Sequence, residues 1–265
     1  MTVTTEPVGA LIRRWRQRRH LSQLELSLTT EVSARHLSFL ETGRSAPSRE
    51  MIERLCVGLD VPLRERNVLH LAAGYAPVHP ERTLTDLGAA KRAVDAVLAG
   101  LEPNPAVAIN VRWDLIATNR AADGFLAGIP EVLRRPPANM LRMTLAPGGL
   151  AEQIRNLASW RAEVLRRVRR QLARTADPGL AGLLEEILGY PMPASEDQLP
   201  RRAADDLVVP LRLATEQGEL SLLYSTTVFG SPMDVTLDEI AIEAFFPADD
   251  HTAQVLHATT ADPEH

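Results

Sequence analysis

The sequence predicts two domains: an all-α array of five short helices, followed by an α+β domain built on a five-stranded antiparallel sheet. Three observations predict this. A chain of 265 residues exceeds one small helical domain and falls short of three. Residues 1–76 carry short apolar stripes at helical spacing, each opened by Ser or Pro. Beyond about residue 102 the apolar residues alternate, with helical stripes between the alternating runs. The predicted boundaries are 1–76 for the first domain, 77–102 for a linker and connecting helix, and 103–265 for the second domain.

Composition narrows the function. Hydrophobic residues make up 45% and charged residues 24%, ordinary for a chain that buries a core. The formal net charge of -5 is unevenly spread. Residues 1–76 hold eleven Arg, no Lys and eight Asp or Glu, which leaves +3 there and -8 for the remainder. A basic head on an acidic body suits a nucleic-acid-binding module joined to a regulatory one. Cys56 is the one cysteine, so disulfides and cysteine zinc sites within one chain are excluded. No run of about 18 apolar residues occurs, and the N-terminus lacks a hydrophobic signal core, so a cytoplasmic protein without membrane insertion is expected.

In the first domain, Leu11, Ile12 and Trp15 form the apolar stripe of a helix over 7–20. Ser22 with Glu25 has capping-box spacing and opens the second helix, with Leu24, Leu26 and Leu28 expected to supply its inner contacts. Ser33 opens the third, which turns Leu37 and Leu40 inward. Pro47-Ser48 opens the fourth, and residues 63–73 make the fifth. A turn of about three residues between the second and third helices presents the third to a DNA major groove. Gln23 beside Ser22 then faces a phosphate. Ser33, Ala34, Arg35, His36 and Ser38 lie at the groove, with Arg44 and Arg49 flanking it for phosphates. Arg35 is the best base reader, because its planar fork matches guanine O6 and N7. Glu41 reads as structural, a partner for an Arg of helix one or four.

Residues 9–60 resemble the Cro/C1-type helix-turn-helix of the XRE family, a lambda-repressor-like fold. VSARHLSFLETGRSAPSREMIERL (32–55) and LDVPLRERNVLHLAAGYAP (59–77) resemble the MmyB-like branch. One departure is Glu31, where many relatives carry Gly and the turn needs a positive φ. A non-Gly residue there costs about 1 kcal/mol.

AGYAPVHPERTLTDL (73–87) is a Pro-rich linker, and 84–100 reads as a helix with the apolar series Leu84, Leu87, Ala90, Val94, Val97 and Leu98. Val107, Ile109 and Val111 alternate, then Trp113, Leu115 and Ala117, giving two strands joined by a turn at 112–114 and a helix opened by Asn119. This opening resembles a PAS domain. Helices over 151–174 and 178–189 follow, then strands over 207–214, 219–229 and 239–246, with Gly218 in the first hairpin turn and a last helix over 250–257. The resemblance to the MmyB-like family implies a PAS-like ligand-binding domain over about 103–258 and a fatty acid as ligand. Leu157, Trp160, Leu183, Ile187, Leu223 and Phe229 are the candidate lining, though an apolar stripe alone does not separate a pocket from a filled core. The Arg-rich helix face (Arg155, Arg161, Arg166, Arg167, Arg169, Arg170, Arg174) reads as solvated, as a partner or DNA surface, or as the source of one head-group ligand, with Arg161 the candidate.

Gly-rich phosphate loops, HExxH and GxSxG are absent, and the seven His are scattered without metal spacing. No metal, no cofactor and no enzyme activity are expected. The expected partners are a double-stranded DNA operator, a second copy of the chain, and a small apolar ligand. A second domain that serves only dimerisation or protein docking is the alternative.

Overall fold

The computed structural model describes residues 6–82, 88–191, 208–230 and 232–261. The chain divides into two compact units, the first built on 1–82 and the second on most of the rest.

The first unit contains α1 (Val8–Arg18), α2 (Gln23–Thr30), α3 (Ala34–Glu41), α4 (Arg49–Gly58) and α5 (Leu63–Ala72). The inward residues Leu11, Ile12 and Trp15 of α1, Leu26 of α2, Leu37 and Leu40 of α3, and Ile52, Leu55 and Cys56 of α4 are buried. Leu24 and Leu28 of α2, expected inward with Leu26, are instead exposed, because residues two apart on a helix do not share a face. At Gly9 an added Cβ would fall 2.1 Å from the Leu40 carbonyl oxygen, so only glycine lets α1 reach the backbone of α3. Residues 232–238 also belong to this unit. Val235 is buried, its N–H donates to the Pro80 carbonyl at 2.9 Å, and Asp238 Oδ2 accepts from the Leu63 N–H at 3.3 Å. Pro62 precedes α5 without a side-chain cap, so Asp238 takes that role.

The second unit runs α6 (Gly88–Gly100), β1 (Ala106–Ile109), β2 (Leu115–Thr118), α7 (Arg120–Ala127), α8 (Glu131–Arg134), α9 (Met140–Leu145), a 3-10 turn, α10 (Leu157–Thr175), α11 (Pro178–Leu188), β3 (Leu211–Thr215) and β4 (Gly218–Val228). After α12 (Val235–Asp238) come β5 (Ala241–Pro247) and α13 (Asp250–Ala261). The sheet order is β2-β1-β5-β4-β3, antiparallel at every junction. Asn119 caps α7 by accepting from the Ala122 N–H at 3.0 Å, and Gly218 turns the β3–β4 hairpin at φ +110.

Three differences from the sequence reading have physical causes. The helix expected from 151 starts at Leu157, because 153–155 pair with the edge strand β3. The Arg155 N–H donates to the Arg212 carbonyl and the Ala214 N–H to the Gln153 carbonyl, both at 2.8 Å. All four residues of β1 are buried rather than alternating, because α6 and α7 both pack against it. The stretch between α7 and α10 holds α8 and α9, which short apolar runs did not reveal. The expected helical start at 84–87, and residue 207 of the expected strand, lie outside the described residues.

Candidate DNA-contact helix and ligand cavity

The turn between α2 and α3 is held at both sides. Ser22 and Glu25 form a full capping box: the Glu25 N–H donates to Ser22 Oγ at 3.1 Å and the Ser22 N–H to Glu25 Oε2 at 2.6 Å. Ser33 Oγ accepts from the His36 N–H at 3.2 Å. Glu31 between them stands at φ 55, ψ 25, the left-handed conformation that its position demanded.

These caps leave the N-terminal face of α3 open. Arg35 is exposed, and Ala34, His36 and Ser38 are partly so. The Arg35 guanidinium lies 5.5 Å from the Phe39 ring centroid one turn on, which extends it along the helix surface. Arg44 is exposed past the end of α3. Arg49 starts α4 with its guanidinium 5.0 Å from the Tyr75 ring centroid. Gln23 is not wholly free for a phosphate, since its Nε2 donates to Glu41 Oε2 at 2.9 Å. Glu41 has its expected partner on helix one: Arg16 donates to it from Nε at 2.6 Å and Nη2 at 2.7 Å. Burial raises the Glu41 carboxyl, but the hydrogen bonds from Arg16 and Gln23 outweigh burial and hold it below the usual carboxylate range.

The second unit holds a cavity of about 70 Å³ between the sheet and the helices above it. The sheet supplies Val107, Leu211, Leu213, Leu222 and Phe245. Helices α7, α9 and α10 supply Phe125, Leu126, Met140, Leu141, Trp160 and Val164. Trp113, at φ 65 in the β1–β2 turn, joins them, its Nε1 donating to Gln171 Oε1 at 2.8 Å. Two charged side chains also line this apolar space, Arg167 and Glu243, and they pair with each other.

Of the residues expected at the lining, Trp160 is there. Leu157, Leu183 and Ile187 are buried in the same core but are not among the residues that line the cavity. Leu223 is 37% exposed, because β4 turns Leu222 inward and a shift of one residue moves a side chain to the other face. Phe229 follows the end of β4 and does not reach the cavity. Arg161 is committed elsewhere: its Nη2 donates to the carbonyls of Ile187 at 2.7 Å and Leu188 at 3.1 Å, closing the C-terminal end of α11. Arg167, two turns from Trp160 on α10, is the cation that faces the cavity. Glu243 was missed, although a lone carboxylate within the apolar run AIEAFF was its mark in the sequence.

Among the described residues no group of His, Cys, Asp or Glu is arranged to hold a metal ion, and no helix is long and apolar enough to cross a membrane. Residues 90–258 match the family model of the MmyB-like transcription regulator ligand binding domain, and residues 7–69 match a helix-turn-helix domain. No curated protein matches the chain.

Proposed function

The chain belongs to the MmyB-like transcription regulators, and from that membership we propose that it is a one-component switch whose DNA affinity follows a fatty acid held in the second domain. The first domain reads operator DNA with α3. Arg35 pairs with a guanine, while Ala34, His36 and Ser38 meet the same groove. Ser22, Gln23, Ser33, Arg44 and Arg49 hold the phosphates. Two copies bind as a two-fold dimer on a palindromic site, with half-sites about one helical turn apart. The second domain is PAS-like, and the five-stranded antiparallel order β2-β1-β5-β4-β3 supports that reading.

The observation that carries the ligand reading is the cavity, bounded by apolar side chains from four strands and three helices. Its 70 Å³ corresponds to about five to seven water-sized positions at roughly 10–15 Å³ each. A space of this size suits a short acyl chain, and a long one needs a wider cavity. The test is native mass spectrometry of the full chain before and after addition of fatty acids, with organic extraction of whatever co-purifies. Retained acyl chains are the expected result. No uptake from any offered acid would make the second domain a dimerisation or docking module instead.

A further inference from the structure

The cavity contains one cation and one anion, and they already neutralise each other. Arg167 is held on every side. Its guanidinium lies 4.9 Å from the Trp113 ring centroid and 4.2 Å from that of Tyr224, donates to Thr226 Oγ1 at 3.0 Å, and pairs with Glu243. Glu243 is 5% exposed and stands on β5 between Val107 of β1 and Thr226 of β4. The other charged groups on this side are Glu163 and Arg166 of α10. They pair with each other, and Glu163 also accepts the Tyr224 hydroxyl at 3.3 Å. Burial pushes the Glu243 carboxyl up, against the pull of Arg167.

A second observation points to an occupant. The indole Nε1 of Trp160 is buried and has no acceptor among the described residues, in a side chain 3% exposed that lines this cavity. Buried donors are nearly always satisfied, and an occupant that carries an acceptor would supply the missing partner to this cavity-lining side chain. Arg161 on the next position does not supply one, being a donor only.

We propose that the occupant is a carboxylic acid whose head group replaces Glu243 on Arg167, and that each acid enters together with one proton, which comes to rest on Glu243. This rests on the fatty-acid reading above and adds its head-group chemistry. A second carboxylate on the one guanidinium would leave an unpaired negative charge in an apolar space, which such sites resolve by protonating one of the two. The balance is simple. The ligand brings one negative charge and the solvent one proton. An O–H bond forms on Glu243, its ion pair with Arg167 opens, and the ligand carboxylate takes the vacated guanidinium. Net charge in the cavity stays at zero. An alcohol of the same chain length needs no proton.

The experiment is calorimetric titration of delipidated full-length protein with octanoate and with octanol, in two buffers of different ionisation enthalpy, at pH 6, 7 and 8. Octanoate is ionised throughout this range. Its binding is expected to take up close to one proton and to weaken about tenfold per pH unit wherever Glu243 is ionised in the free protein. Octanol binding is expected to be flat with pH. Glu243→Gln should abolish the proton uptake and the pH slope for octanoate. Arg167→Gln should lose octanoate binding and keep octanol binding, which also shows that the variant is folded. Trp160→Phe should weaken octanoate severalfold. Octanoate bound without proton uptake overturns the proposal. Octanoate and octanol bound alike, both flat with pH, overturn it while leaving an apolar ligand in place. Failure of both to bind overturns the proposal and the ligand reading together.

Discussion

Arg16 of α1 and Glu41 of α3 form a two-point ion pair, with Nε and Nη2 donating to separate carboxylate oxygens at 2.6 and 2.7 Å, and their side chains are only 11% and 3% exposed. Gln23 of α2 adds a third donor. One carboxylate therefore fixes the three helices that set the geometry of the DNA-facing surface. Removing one member of a buried pair leaves the other charge unpaired, so Glu41→Ala is expected to cost about 3–5 kcal/mol in chemical denaturation of the first domain. Replacing both members by apolar residues of similar size, Arg16→Met with Glu41→Leu, is expected to cost far less. Equal losses in the single and double variants would contradict a pair held by mutual compensation.

Arg35→Ala is expected to weaken binding to a selected operator by roughly 1–3 kcal/mol and to relax base preference at one position of each half-site. Arg44→Ala should instead weaken all sequences alike and reduce the salt dependence of binding. Selection from a random DNA pool with each variant reads both effects. Unchanged affinity and preference in Arg35→Ala would remove it from base reading.

Glu31 holds φ 55 without the freedom of glycine. Glu31→Gly is expected to raise the Tm of the first domain by a few degrees, matching relief of about 1 kcal/mol of left-handed strain. A lower Tm would mean that the Glu31 side chain contributes more than the strain costs.

The second domain carries its own acid sensitivity. Glu186 of α11 accepts from Arg142 Nε at 2.8 Å and Nη2 at 2.7 Å, and from the Tyr190 hydroxyl at 2.5 Å. The Arg142 hydrogen bonds, with that of Tyr190, outweigh a smaller burial penalty and bring its carboxyl down from 4.5 to about 2. A carboxyl lowered on folding stabilises above its unfolded value and loses that contribution as pH falls through the folded one. Thermal melting should therefore fall progressively between pH 4.5 and about 2. Glu186→Gln should melt lower near neutral pH and show a shallower fall over that window. An identical pH profile in this variant would show that Glu186 contributes nothing there.

Local rules made the first domain legible. Ser22, Ser33 and Ser48 each cap the helix that their spacing predicted, while the left-handed turn at Glu31 was legible only through the family resemblance. Cap chemistry is short-range, so it can be read along the chain. The cavity was harder, because its walls are joined only in three dimensions. Leu222 and Leu223 are equally apolar, and only the register of β4 against β5 decides which faces inward. Arg161 and Arg167 sit on one Arg-rich helix, and only the nearby end of α11 claims Arg161. Ile154 continued the apolar spacing of α10, yet the free edge of β3 drew it into a bridge with Leu213.

The most direct test of the account is operator binding by the full chain, measured by fluorescence anisotropy with and without saturating octanoate. Coupling between two sites typically amounts to about 1–3 kcal/mol, so operator affinity is predicted to change by roughly 5- to 150-fold. That change should vanish in Arg167→Gln, which keeps its DNA-binding surface. Octanoate bound to the protein with operator affinity unchanged would contradict a ligand-controlled switch.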